Sequence, residues 1–159
     1  MDRLETIRGL VDEIIAKMQD EQTRKFAYIH TYGVCQATTT LALIRHMSIE
    51  LPCISAMLHD IAVYAQNCPH KTHAQASAVY AKALLEDTNL FTKDEIDRII
   101  HTISLHSNKM SRQDDPMSEL LKDADTLQHY LYNPKIEVSS KDSYRLYYIL
   151  ESLKEMQTK

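Results

Sequence analysis

Glycine and proline are scarce in this chain, with only 2 glycines and 4 prolines among 159 residues. So few glycines leave little material for the tight turns of β-barrels or for a glycine-rich phosphate loop. Neither a G-x-G-x-x-G string nor a G-K-[ST] string occurs, which argues against the nucleotide-binding folds that depend on them. The scarcity is typical of a helix-rich protein.

An excess of basic charge is also missing. The formal net charge is −4 and the isoelectric point is near 6.0, whereas a dedicated nucleic-acid binder presents a basic surface. No apolar run approaches the roughly 20 residues needed to cross a bilayer, so no membrane span is expected. A small phosphorylated ligand is still compatible with this charge, because a bound metal ion adds positive charge that formal counting misses.

The three cysteines do not form a framework. Cys35, Cys53 and Cys68 are odd in number and lack C-x-x-C spacing, and no secretory signal peptide is recognisable. Together these features predict reduced thiols and a cytoplasmic protein.

Apolar residues recur at three- and four-residue spacing along most of the chain, which is the period of a helix. This pattern predicts one compact all-α domain over residues 1–159, built from about six to seven helices without a strand. The expected helices lie at about 4–18, 28–47, 52–64 and 73–87, then from about 92, from about 116 and after 134.

Two helix starts carry local signals. Thr92 followed by Glu95 is a capping box, and Asp115-Pro116 is an N-cap with proline in the first turn. In the last helix, the spacing predicts that Tyr144 and Tyr147 lie on the apolar face with Leu150 and Leu153.

A histidine, a histidine–aspartate pair and a later aspartate fall on three different predicted helices. They are His30, the pair His59-Asp60, and Asp125. Imidazole and carboxylate together suit a divalent metal ion with coordination positions left open for water and a phosphate oxygen. A buried Asp125 needs a cation or several donors, whereas Asp123 is expected on the solvated face. Adjacent helical residues lie about 100° apart, so the pair is expected at the edge of a helix face.

The order His30, His59-Asp60, Asp125 resembles the H…HD…D signature of the HD-domain superfamily of metal-dependent phosphohydrolases. The run Ala56-Met57-Leu58 before the pair and the string around Asp125 resemble the family's motifs, and the likeness covers about residues 26–131. It implies that His30, His59, Asp60 and Asp125 hold one or two divalent ions, Mn, Fe, Co, Ni or Mg. It also implies hydrolysis of a small phosphoester or nucleotide by metal-activated water, with Asp60 orienting that water.

Two further histidines match outer positions of the resemblance. His73 opens a predicted helix and His106 continues the apolar stripe of the next one, so both are candidates for a second metal or the substrate phosphate. His106 is in addition a candidate catalytic residue, and His70 is a lower-ranked substitute for His73. Many members carry Gly-Lys soon after the pair, whereas Ile61 and the residues after it contain no lysine.

The missing lysine leaves the phosphate contact without an obvious residue. Lys71 and Lys122 are the weaker phosphate-binding candidates from the sequence. The alternatives that stay open are a non-catalytic metal- or nucleotide-binding module, a dinuclear-iron oxygenase, and a helical interaction protein with structural histidines. The sequence also leaves open which substrate is bound and whether the protein forms a homo-oligomer.

Overall fold

The computed structural model describes residues 2–135 and 137–155, and these form helices connected by short loops. The helical segments in chain order are α1 (Arg3–Ala16), α2 (Glu21–Ile44), α3 (Glu50–Leu58), α4 (Ile61–Gln66), α5 (His73–Thr88), α6 (Lys93–Leu105), α7 (Pro116–Tyr132) and α8 (Ser140–Glu155). The described residues contain no strand, which confirms the all-α prediction.

Side-chain caps fix several helix starts. The capping box of Thr92 and Glu95 opens α6, and the Asp115 carboxylate accepts hydrogen bonds from two backbone N–H groups at the start of α7. Helix α2 begins seven residues before its predicted start at about 28, because Asp20 caps it by accepting the backbone N–H of Thr23 at 2.7 Å. Its first two turns are exposed and polar on most sides, so they lack the apolar period.

The helix that was expected to carry His59 and Asp60 is broken at that pair. Helix α3 ends at Leu58 and α4 begins at Ile61, and the backbone of Asp60 leaves the helical region with φ −111° and ψ 15°. The prediction that both residues lie on one continuous helix is therefore wrong. The break lets the two side chains converge, with His59 Nε2 lying 3.5 Å from Asp60 Oδ2.

Helix α3 is the centre of the core. All of its residues from Leu51 to Leu58 are buried, and it packs against α1, α2, α6 and α7. Helix α2 packs along α7, and α5 packs along α6. These two pairings bring His30 beside Asp125 and His73 beside His106, both next to the carboxyl end of α3.

Helix α8 packs with a different face than the spacing predicted. Leu146 and Ile149 are buried, whereas Tyr144 and Tyr147 are exposed, so the prediction for the two tyrosines is wrong. The reason is Arg145, which is 2% exposed and turns the helix so that its guanidinium reaches Glu119 and Asp123.

No helix among the described residues is both long and apolar enough to cross a membrane. Cys35, Cys53 and Cys68 are free thiols in the structure. Cys35 and Cys53 belong to the buried core between α2 and α3.

Candidate metal centre

Four histidines share one local arrangement, in which the Nδ1 atom of each ring faces an oxygen that can only accept a hydrogen bond. His59 Nδ1 lies 2.7 Å from the carbonyl of Ala56, and His106 Nδ1 lies 2.7 Å from the carbonyl of Ile103. His73 makes the same contact with the carbonyl of His70. Since a carbonyl cannot donate, each Nδ1 carries the hydrogen, and each Nε2 keeps a free lone pair.

His30 also carries its hydrogen on Nδ1, but here the acceptor is a side chain from another helix. Its Nδ1 lies 2.7 Å from Oε1 of Gln128 on α7. A second partner that fixes the ring and its tautomer is the usual companion of a metal-binding histidine. The burial of both residues keeps water from competing for this contact.

The four Nε2 atoms meet in two pairs. His30 and His59 bring theirs to 3.0 Å, and His73 and His106 bring theirs to 2.9 Å. Two facing nitrogens at this distance require a proton or a metal cation between them, because two bare lone pairs repel. Burial lowers the pKa of His59 to about 4, so this imidazole is neutral at pH 7 and available as a ligand.

Asp60 lies between the two histidine pairs and turns one oxygen to each. Its Oδ2 is 3.4 Å from His30 and 3.5 Å from His59, while its Oδ1 is 3.2 Å from His73 and 3.5 Å from His106. Burial opposes ionisation of this carboxyl, but the positive charge of His59 and the hydrogen bonds from His106 and His30, present when these rings carry a proton on Nε2, outweigh it and hold the pKa of Asp60 well below its usual range. Asp60 is therefore a carboxylate positioned to bridge two subsites.

Asp125 approaches the first pair from helix α7. Its Oδ1 lies 3.5 Å from His30 Nε2 and 3.3 Å from Nδ1 of His129, and its Oδ2 lies 2.9 Å from Nζ of Lys109. Burial opposes ionisation here as well, but the ammonium of Lys109 outweighs it and holds the pKa of Asp125 far below the ordinary value.

The donor set fits a divalent metal ion. Asp60 Oδ1 and Asp125 Oδ1 are buried oxygens without a hydrogen-bond partner, and such atoms are costly unless a cation satisfies them. Ligand atoms of His30, His59 and Asp125 lie close enough together to share an ion, as do those of His59, Asp60 and His106. Nitrogen and carboxylate donors of this kind suit first-row divalent ions.

A cleft of about 700 Å³ is lined by His30, Asp60, His73, His106 and Asp125, whereas His59 is buried next to His30. Phe26 and His129 stack on the two sides of the His30 ring, with centroids 5.6 and 4.8 Å away. Lys71 and His70 stand at the rim. The cleft has room for a small substrate beside the ligand cluster.

Two expectations about charged residues next to Asp125 are wrong. The ammonium of Lys122 is fully buried outside the cleft and binds Asp114 and Glu119, so it is not available to a substrate phosphate. Asp123 is buried and not solvated, because Arg45 and Arg145 reach it from distant segments at 2.5 Å each. Neither arginine is predictable from the sequence near Asp123.

Three neighbours of the histidine–carboxylate cluster were not predicted from the sequence. Gln128 and His129 follow Asp125 at i+3 and i+4 on α7, a spacing that places them on the same helix face and could have revealed them. Lys109 lies in the loop after α6, three residues beyond His106. No local signal distinguishes it from the other loop lysines.

An all-helical fold that gathers H…HD…D residues at one end of a central helix is of the HD type. The sequence profile of the HD domain matches residues 27–130, and the chain belongs to this family, which is one of metal-dependent hydrolases. The match confirms the resemblance and leaves α1 and α8 outside the matched range.

A solved structure with the same fold is described as a predicted HD superfamily hydrolase from an uncultured Thermotogales bacterium. It is 21% identical, aligns over 99% of this chain and 95% of that chain, and has a TM-score of 0.65. At this identity the likeness shows the fold. No match was found among curated protein sequences.

Proposed function

We propose that this protein is a metal-dependent phosphohydrolase acting on a small phosphoester or nucleotide. The observation that carries the proposal is the convergence of four Nε2 atoms on Asp60, with Asp125 beside His30, while the buried Oδ1 atoms of both carboxylates lack a hydrogen-bond partner. This arrangement stands at the base of an open cleft. Such a site suits a reaction with a small substrate and not a purely structural metal, which closed coordination would hold.

His30, His59, Asp60 and Asp125 would hold the first divalent ion. Bound there, it would lower the pKa of water and polarise a phosphoryl oxygen. Gln128 fixes the His30 ring, and the carbonyl of Ala56 fixes the His59 ring. The ligand geometry is thus prepared before binding.

His73 and His106 would serve either a second ion or the substrate's phosphoryl group. The bridging position of Asp60 favours two ions, because its Oδ1 is directed at this pair while its Oδ2 is directed at His30 and His59. Asp60 Oδ1 is also an unfilled acceptor at which an attacking water can be oriented. Lys71 at the rim is a weaker candidate for a substrate contact.

Elemental analysis and activity of matched histidine variants test this function. His106→Ala removes a cluster residue at the C-cap of α6, while His101→Ala removes an exposed histidine within that helix, whose partner is Asp115. We expect His59→Ala and Asp125→Asn to lose bound Mn²⁺, and His106→Ala to lose phosphoester hydrolysis. His101→Ala should keep both, and circular dichroism verifies that each variant folds.

The same preparations distinguish the alternatives. Wild-type protein that binds metal but hydrolyses no phosphomonoester, diester or nucleotide with Mn²⁺, Co²⁺, Ni²⁺ or Mg²⁺ would indicate a binding module. Oxygen consumption by an iron-loaded sample would indicate an oxygenase. Metal content unchanged in both His59→Ala and Asp125→Asn would refute the proposed site.

A further inference from the structure

Lys109 is a cation inside the cleft that the family signature does not supply. It lies in the loop between α6 and α7, its side chain is 12% exposed, and Nζ is 2.9 Å from Asp125 Oδ2. The described lysines that line this cleft are Lys71 and Lys109. Of these two, Lys109 contacts the ligand cluster.

Lys109 uses the oxygen of Asp125 that the histidine cluster leaves free. Asp125 Oδ1 is directed at His30, whereas Oδ2 is held by the lysine. An ion bound through Oδ1 would therefore leave the ammonium in place. Metal and lysine would then stand side by side on one carboxylate, and both would face the cleft.

The ammonium also keeps bonding capacity for a substrate. It has three N–H donors, and Asp125 takes one of them. Asp142 Oδ1 lies 3.7 Å away, beyond hydrogen-bonding distance, and within residues 2–135 and 137–155 Nζ has no further ion-pair or hydrogen-bond partner. A phosphoryl oxygen in the cleft would find at least one N–H group available.

Helix α8 holds this lysine from outside the matched HD range. Arg145 donates hydrogen bonds to the backbone carbonyl of Lys109 at 3.2 and 3.4 Å and to that of Ser111 at 2.7 Å. Asp142, one turn earlier on α8, faces the ammonium. Arg145 thus fixes the backbone of Lys109, while the Asp142 carboxylate attracts its ammonium electrostatically.

We propose that Lys109 is the residue that binds the substrate's phosphoryl group, supplied by the α6–α7 loop and positioned by α8 through Asp142 and Arg145. It takes the place of the lysine that is absent after the His59-Asp60 pair. This inference rests on the proposed function, because it assigns a phosphoryl ligand to the same cleft. Its physical basis is the charge-assisted hydrogen bond between an ammonium and a phosphate oxygen.

Binding of inorganic phosphate to the Mn²⁺-loaded protein tests Lys109 without relying on turnover. Isothermal titration calorimetry compares wild type with Lys109→Met, Lys109→Arg, Lys71→Met and Lys82→Met, the last being an exposed α5 lysine remote from the cleft. We expect Lys109→Met to weaken phosphate binding by about 10- to 100-fold, the range for a charge-assisted hydrogen bond. Lys109→Arg should retain most of the affinity, and Lys82→Met all of it.

The Mn²⁺ affinity of the same variants separates substrate binding from simple neutralisation of Asp125. If Lys109 only neutralises the carboxylate, Lys109→Met changes Mn²⁺ affinity while the loaded protein binds phosphate as before, and the inference is overturned. It is also overturned if wild type binds no phosphate, or if Lys71→Met causes the loss instead. Wild type that binds phosphate through Lys109 but hydrolyses nothing would refute the proposed function and leave the inference standing.

Discussion

Gly33 offers a sharp test of how the centre is held together. This residue lies in the interior of α2 with an ordinary helical backbone, and a Cβ built on it would lie 2.8 Å from Cγ and 3.2 Å from Nε2 of Gln128. Carbon atoms do not approach that closely, so Gly33→Ala must displace Gln128. The displaced side chain is the one whose Oε1 accepts the Nδ1–H of His30 at 2.7 Å.

The expected loss is the sum of opposing effects. Replacing a helical glycine by alanine stabilises a helix by about 1 kcal/mol. Overpacking costs about 1–3 kcal/mol, and a buried N–H left without its acceptor costs about 1–3 kcal/mol. We therefore expect Gly33→Ala to lower the free energy of unfolding by about 1–5 kcal/mol and to weaken Mn²⁺ binding at least about tenfold, as loss of a supporting partner of a ligand does.

Gly9 is the matched control, because it too lies inside a helix but a Cβ there would meet no atom within 4 Å. Gly9→Ala should stabilise the protein by about 1 kcal/mol without changing Mn²⁺ affinity. Urea unfolding in EDTA gives the stability, and calorimetric titration gives the affinity. Gln128→Ala should remove the overpacking cost in a double variant with Gly33→Ala, so the two changes should be non-additive.

The predicted collision with Gln128 is wrong if Gly33→Ala is as stable as Gly9→Ala and binds Mn²⁺ like wild type. An additive Gly33→Ala/Gln128→Ala double variant would also contradict it. In that case the collision with Gln128 would not be the cause of any loss.

Three further predictions concern other parts of the molecule. Lys122→Met should lower the free energy of unfolding by about 2–3 kcal/mol at pH 7, because it removes the buried ammonium that pairs with Asp114 and Glu119. The hydrogen bond from Lys122 lowers the pKa of Asp114. The difference in stability between wild type and variant should therefore shrink as the pH falls below about 3.9, as measured by urea titration. Asp115→Ala should lower the free energy of unfolding by about 1 kcal/mol, because it removes the N-cap of α7. Asp115→Asn should keep most of the wild-type stability, and thermal unfolding measures both variants. Mn²⁺ at about 100 times its Kd should raise the free energy of unfolding by about 2.7 kcal/mol and raise Tm by several degrees relative to protein in EDTA. The absence of a Tm shift in wild type would contradict metal binding.

Local sequence signals account for most of the helices. The capping box at Thr92 and the Asp115-Pro116 start act over three or four residues, so they are readable without the fold. The Asp20 cap of α2 was equally local, but it precedes a polar stretch in which the apolar period is absent. The break between α3 and α4 has no glycine or proline at the pair to announce it.

The metal centre likewise combines residues that local sequence signals identify with residues that they do not. His30, His59-Asp60 and Asp125 were selected by residue type and order, and the structure brings them together with His73 and His106. Residue type and order did not predict which lysine contacts Asp125. Lys122 precedes Asp125 by three residues but is turned to Asp114, whereas Lys109 reaches Asp125 from a separate loop.

Short-range features of the chain specify the all-helical class, the main helix starts and the H…HD…D order of the donors, because these depend on periodicity, capping and residue chemistry. The packing of the helices determines which donors converge, which lysine faces the cleft and which aspartate is buried with arginines. Those outcomes depend on contacts between residues far apart in the chain, such as His30 with Gln128 and Asp123 with Arg45. Helix packing alone sets these contacts, since the direction of a side chain follows from how its whole helix is rotated against its neighbours.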